Sequence, residues 1–69
     1  MTLKQLGNRL RALRLEKGVT QEQFAEKVGI GYKYYQQIES GSKKQIWLST
    51  VDRLAEAHSL ECWELLKDL

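Results

Sequence analysis

Between residues 32 and 44 the chain sets long hydrogen-bonding side chains at helical spacing. On a wheel of about 100° per residue, Lys33 and Gln36 lie together, with Tyr32 and Gln37 on their flanks. Tyr34, Tyr35 and Ile38 take the other side. The outer side is almost free of acid. Ser42, Lys43 and Lys44 follow at once, next to Gly41. Side-chain amides donate and accept, whereas ammonium groups only donate. This set suits base edges and phosphate oxygens. It does not suit bond breaking. Catalysis needs a nucleophile held by a base, and no such pair can be assembled from this sequence. One His and one Cys fall short of the three or four close ligands of a dedicated zinc site. The expectation is a binding module, not an enzyme, with neither metal nor cofactor.

Five short helices are expected to position these groups. The first carries Leu3, Leu6, Leu10 and Leu13 on one stripe. Thr2 with Gln5 fits a capping box at its start, and Gly18 ends it. Arg14 lies at the edge of the leucine stripe and should be partly shielded. The second helix, about 21–28, opens with another box, Thr20 with Gln23, and closes at Gly29. Phe24, Ala25 and Val28 form its inner face. The third, 32–39, stops before Gly41. Residues 40–48 read as a loop. A fourth segment from about 49 to 58 groups Val51, Leu54, Ala55 and His58. A fifth, about 61–68, groups Cys62, Leu65, Leu66 and Leu69, with Trp63 at the edge.

Length and composition agree with one all-α domain spanning 1–69. The 69 residues hold five Gly and no Pro, too few turn formers for a β-rich fold of this size. A lone Cys62 excludes an internal disulfide and fits a reducing compartment. No apolar run nears the roughly 20 residues that span a bilayer, and the first residues lack a signal-peptide core. No membrane association and a cytoplasmic address are expected. Charge is uneven. Residues 1–20 carry a net +4, and residues 49–69 a net −3. A polyanion can therefore face the basic front while the acidic tail turns away.

The second and third helices are joined by Gly29, Ile30 and Gly31 alone. A two-turn helix, a very short connection and a helix with a polar outer face together make a helix-turn-helix. Its second helix enters the major groove, about 12 Å wide, and its first lies across the backbone. The residues at this point, Thr20, Gln21, Ala25, Gly29 and Ile30, resemble the signature of the Cro-type (XRE-type), phage-repressor-like helix-turn-helix family. The resemblance extends through Leu6 to Arg14, Ile38 to Gly41 and Val51 to Ala57, nearly the whole chain.

The resemblance implies a five-helix phage-repressor-like domain that regulates transcription by binding specific double-stranded DNA. By position it implies a phosphate contact for Gln21 and base or phosphate contacts for Tyr32, Lys33, Gln36 and Gln37. It implies a grip on the backbone by the loop of Ser42, Lys43 and Lys44. It also implies a shielded salt bridge between Arg14 and Glu39. A homodimer through Trp63, Leu66 and Leu69 is expected, because two half-sites double the few contacts of one module. The alternative is an antitoxin or partner-sequestering module, with a protein partner and DNA binding secondary.

Other residues have plainer expectations. Tyr35 should be core, although its position in the family usually holds Ile or Val. Tyr32 can either stack on the protein or meet a phosphate. His58 should be a hydrogen-bonded core histidine and Cys62 a small buried hydrophobe. Arg9, Arg11 and Lys4 should be solvated. Trp47 should pack locally or dock a partner. Gly31 stands where Ser or Thr usually caps the third helix, so that cap should be weak.

Overall fold

The computed structural model describes all residues 1–69 and is all-helical. The helices are α1 (Leu3–Lys17), α2 (Gln21–Val28), α3 (Tyr32–Ser40), α4 (Leu48–Ala57) and α5 (Cys62–Leu66). Both expected capping boxes form. Thr2 Oγ1 accepts from the Gln5 N–H at 3.1 Å and Thr20 Oγ1 from the Gln23 N–H at 3.1 Å, with each glutamine reaching back to its cap backbone. Each box satisfies two N–H groups that the helix itself leaves without partners. As expected, Gly31 gives α3 no side-chain cap.

The last two helices differ from expectation at their ends. α4 begins at Leu48, one residue early, behind Trp47, which has no capping oxygen to mark the boundary. His58 lies just beyond α4 as its C-cap residue. α5 is only five residues long, and its capping box uses the carboxylates of Glu61 and Glu64. The α3 helix also runs one residue further than expected, to Ser40.

The core gathers Leu6 and Leu10 from α1, Phe24, Ala25 and Val28 from α2, and Tyr35 and Ile38 from α3. Val51, Leu54, Ala55 and Leu65 complete it from α4 and α5. α1 packs on α3, α2 on both α3 and α4, and α4 on α5. One residue fixes the closeness of α1 to α3. A Cβ at Gly7 would collide with the Glu39 carbonyl oxygen and lie 2.7 Å from that of Ile38. Only glycine lets the α1 backbone approach the C-terminal end of α3 this closely.

Three sequence expectations are corrected by packing. Arg9 is half-buried and donates from Nη1 to the Leu65 carbonyl at 3.2 Å, so it ties α1 to α5. Cys62 is only half-buried. His58 is core, but it is not hydrogen-bonded: neither ring nitrogen has a partner. Its ring instead stacks on Phe24, with centroids 4.6 Å apart and planes at 20°. Phe24 in turn meets the buried Tyr35 ring at 5.3 Å.

Burial, with the positive charges of Lys17 and Lys27, pushes the His58 imidazole down to about 4. The unfolded chain therefore binds a proton that the folded chain refuses between about pH 6.5 and 4. Stability contributed by neutral His58 is complete above pH 6.5 and is lost as pH falls through that window. By pH 5 the loss from this group should reach about 2 kcal/mol. Urea unfolding at pH 7.5 and pH 5 measures it. His58→Leu should flatten the pH dependence, and an unchanged slope in that variant would refute the assignment.

Candidate nucleic-acid interface

The candidate interface is built around the α2–α3 turn. Gly29 takes a left-handed φ of 84°, which a residue with a Cβ adopts only at a cost. Its N–H and that of Ile30 both donate to the Ala25 carbonyl, at 2.9 and 3.0 Å, closing the end of α2. Arg53 then reaches across from α4. Its Nη2 donates to the Val28 carbonyl at 2.7 Å and to that of Gly29 at 3.4 Å. A cation here meets the negative end of the α2 dipole. Arg53 is thus a clamp on the turn. Sequence reasoning missed it, because nothing local joins residues 28 and 53.

α3 buries Tyr35, Ile38 and Glu39 and turns Lys33 and Gln36 to solvent. Tyr32 is 44% exposed and Gln37 is half-buried. Gln21, Lys33, Gln36, Gln37 and Ser40 together line a shallow open depression with no hydrophobic residue in its wall. Five polar side chains from two helices therefore converge on one surface. Tyr32 joins them, since Gln36 Nε2 donates to its hydroxyl at 3.2 Å.

The loop after α3 is less uniform than its sequence implies. Lys44 is exposed. Lys43 is half-buried, with Nζ 4.9 Å from the centroid of the Tyr34 ring, a cation–π contact that holds its charge close to α3. Ser42 is used locally. Its N–H donates to the Gln37 carbonyl at 3.1 Å and its hydroxyl meets that of Ser40 at 3.1 Å, so it shapes the end of α3. Trp47 does not pack locally: it is 75% exposed, next to an exposed Leu48.

Beneath the depression lies the only ion pair of the chain. Arg14 grips Glu39 with two parallel bonds, Nε to Oε2 and Nη2 to Oε1, each 2.9 Å. Its Nη1 donates to the Val19 carbonyl at 2.8 Å. Gln21 Nε2 adds a third donor to Glu39 Oε1 at 3.1 Å. Burial works against the Glu39 carboxylate, but the hydrogen bond from Arg14, the nearby Tyr35 hydroxyl and Gln21 outweigh it and hold the group below the usual carboxylate range. The same hydrogen bond raises Arg14 further above its ordinary value. Both shifts favour the charged forms of the pair. Tyr35 carries its hydroxyl into this region near the Glu39 carboxylate, though without a well-formed hydrogen bond, and burial together with that carboxylate pushes its pKa up.

These features define the class. The helix-turn-helix family model matches residues 10–60, and the chain belongs to that family, of the XRE type. It is a DNA-binding transcriptional regulator. Two solved structures show the likeness in three dimensions. The restriction-modification controller protein C.AhdI from Aeromonas hydrophila is 36% identical, with a TM-score of 0.83 over 91% of this chain and 94% of that one. ComR from Streptococcus suis is 28% identical, with a TM-score of 0.83 over 100% of this chain but only 22% of its own. No curated protein matches the sequence. No helix is long and apolar enough to cross a membrane.

The buried pair yields a stability prediction. Arg14→Met alone strands the Glu39 carboxylate and should cost about 3–5 kcal/mol, as should Glu39→Leu alone. The double variant should lose much less than their sum, because no charge is left without its partner. Denaturant unfolding of the four proteins checks the cycle. Additive losses would mean that the two side chains act independently.

Proposed function

We propose that this chain reads specific sites on double-stranded DNA, with α3 in the major groove, and does so as a homodimer. It acts by binding and not by catalysis, in the cytoplasm. The observation that carries this reading is the all-polar depression formed by α2 and α3, next to the exposed ammonium of Lys44. Lys33 suits the paired acceptors of guanine, and Gln37 suits the acceptor and amine of adenine. Gln21 opens α2, where backbone N–H groups and the helix dipole favour a phosphate. Lys44 supplies a further phosphate contact, and Lys43 a weaker one given its hold on Tyr34. The likeness to a restriction-modification controller protein over almost the full length of both chains favours a regulator of that kind.

Dimerisation is assigned to the C-terminal end. Trp63 is 65% exposed on α5, with Leu66 and Leu69 half-buried near it. Paired subunits would then meet half-sites about 34 Å apart, one helical turn. Trp63→Lys should move the protein towards monomer in sedimentation and weaken binding to a palindrome far more than to a half-site. A dimer that survives both Trp63→Lys and Leu66→Asp would place the contact elsewhere.

Selection of bound duplexes from a random pool tests the reading. Gln37→Ala should relax preference at one base position by about 1–3 kcal/mol. Lys44→Ala should weaken all sites alike and lower the salt dependence by about one charge. If neither variant differs from the parent, α3 is not the reading element. The exposed Trp47 and Leu48 favour one second reading, a protein-interaction module of the antitoxin type. A stoichiometric partner combined with no selected DNA would establish it.

A further inference from the structure

The hydrogen bonds of the depression have a direction, and the direction is set from below. An ionised carboxylate can only accept. Glu39 therefore dictates which end of the Gln21 amide it receives: the nitrogen, at 3.1 Å. The Gln21 carbonyl oxygen is then turned from Glu39 towards Gln36, about one turn earlier on α3. Gln36 meets it with its own amide nitrogen, at 3.5 Å. The same nitrogen donates to the Tyr32 hydroxyl at 3.2 Å. If Gln36 were turned over, two carbonyl oxygens would face one another. The Gln36 amide nitrogen thus has two protein acceptors, Gln21 Oε1 and the Tyr32 hydroxyl, and its carbonyl oxygen has no protein donor.

We propose that Glu39 is a positioning residue that fixes the polarity of the reading surface through Gln21, so that Gln36 meets DNA as an acceptor and recognises an exocyclic amine. In the major groove those amines are N6 of adenine and N4 of cytosine. A free glutamine would pair with adenine through both ends of its amide. Gln36 has only one end to offer, so it reads the amine and is indifferent to the purine N7. The selectivity of the surface is then divided: Gln36 for amines, Lys33 for acceptors, and Gln37 free to do either. This inference rests on α3 being the reading element.

Base analogues separate these possibilities. The relevant position is the one whose preference disappears in Gln36→Ala during selection. Deleting the exocyclic amine there, with purine for adenine or 2-pyrimidinone for cytosine, should weaken the parent about tenfold. Replacing the purine N7 by a carbon should leave affinity unchanged. In Gln36→Ala neither change should matter. Gln21→Ala breaks the relay while leaving the Arg14–Glu39 pair whole. There the amine penalty should shrink and an N7 penalty should appear, because Gln36 is free to turn. Glu39→Gln should do the same, provided its thermal melt shows a folded protein. A parent more sensitive to loss of N7 than of the amine would overturn the proposal. So would an amine penalty that Gln21→Ala leaves intact. Failure to select any duplex would overturn both this proposal and the reading beneath it.

Discussion

Everything on the outer surface of α3 depends on a buried bidentate pair, Arg14 with Glu39. Three elements meet there. Arg14 comes from α1 and also holds the Val19 carbonyl, just ahead of α2. Glu39 comes from the last turn of α3, and Gln21 from the first turn of α2. Removing two charges from water is expensive, and their attraction in a small core only roughly offsets that cost. The contribution of the pair is therefore geometric. Two parallel N–H···O bonds admit one rotation and one height of α3 against α1. Gly7 enforces the same register sterically, since the backbone of α1 rests against the Ile38 and Glu39 carbonyls. A slipped α3 would lose the ion pair and the close contact together.

The core pays for this order with polar groups that hydrophobic residues would spare it. His58 places a whole imidazole where it finds no hydrogen-bond partner, and Tyr35 a hydroxyl that reaches only the neighbourhood of Glu39. Each such group costs about 1–3 kcal/mol in lost hydration. The compensation is contact between rings. His58 stacks on Phe24, and Phe24 leans on Tyr35, so an aromatic row runs from the end of α4 through α2 to α3. Flat rings transmit position better than flexible aliphatic chains. The inner side of α3 rests on that row, and its outer side bears the polar side chains of the depression.

Much of this was legible in the sequence, and the line between legible and hidden follows contact distance along the chain. The boxes at Thr2 and Thr20 and the stop at Gly29 are local devices, complete within four residues, so spacing alone reveals them. The burial of Tyr35 and the exposure of Lys33 and Gln36 follow from helical periodicity. The shielding of Arg14 was visible on the wheel, but its partner came only from the family resemblance. Contacts spanning many residues left no local trace. The Arg53 clamp joins positions 25 apart, and the Arg9 tie to Leu65 joins positions 56 apart. His58 lies on an apolar face, which correctly places it in the core, but periodicity says nothing about whether a buried ring finds hydrogen bonds. The ends of α4 and α5 were shifted because Trp47 has no capping oxygen and Glu61 is an uncommon cap.

A domain this small cannot keep its stability in one region and its polar surface in another. The glutamine that opens α2 is at once a ligand of the buried carboxylate and part of the outer depression. The carboxylate is at once the anchor of α3 and the fixed negative point that orients amides above it. Acid acts on both ends of this arrangement in the same direction. Falling pH favours a charged His58 that the aromatic row cannot hold, and at lower pH it favours a neutral Glu39 that no longer commands Arg14 and Gln21. In the proposed reading, base discrimination therefore falls to the same few atoms that hold the helices in register.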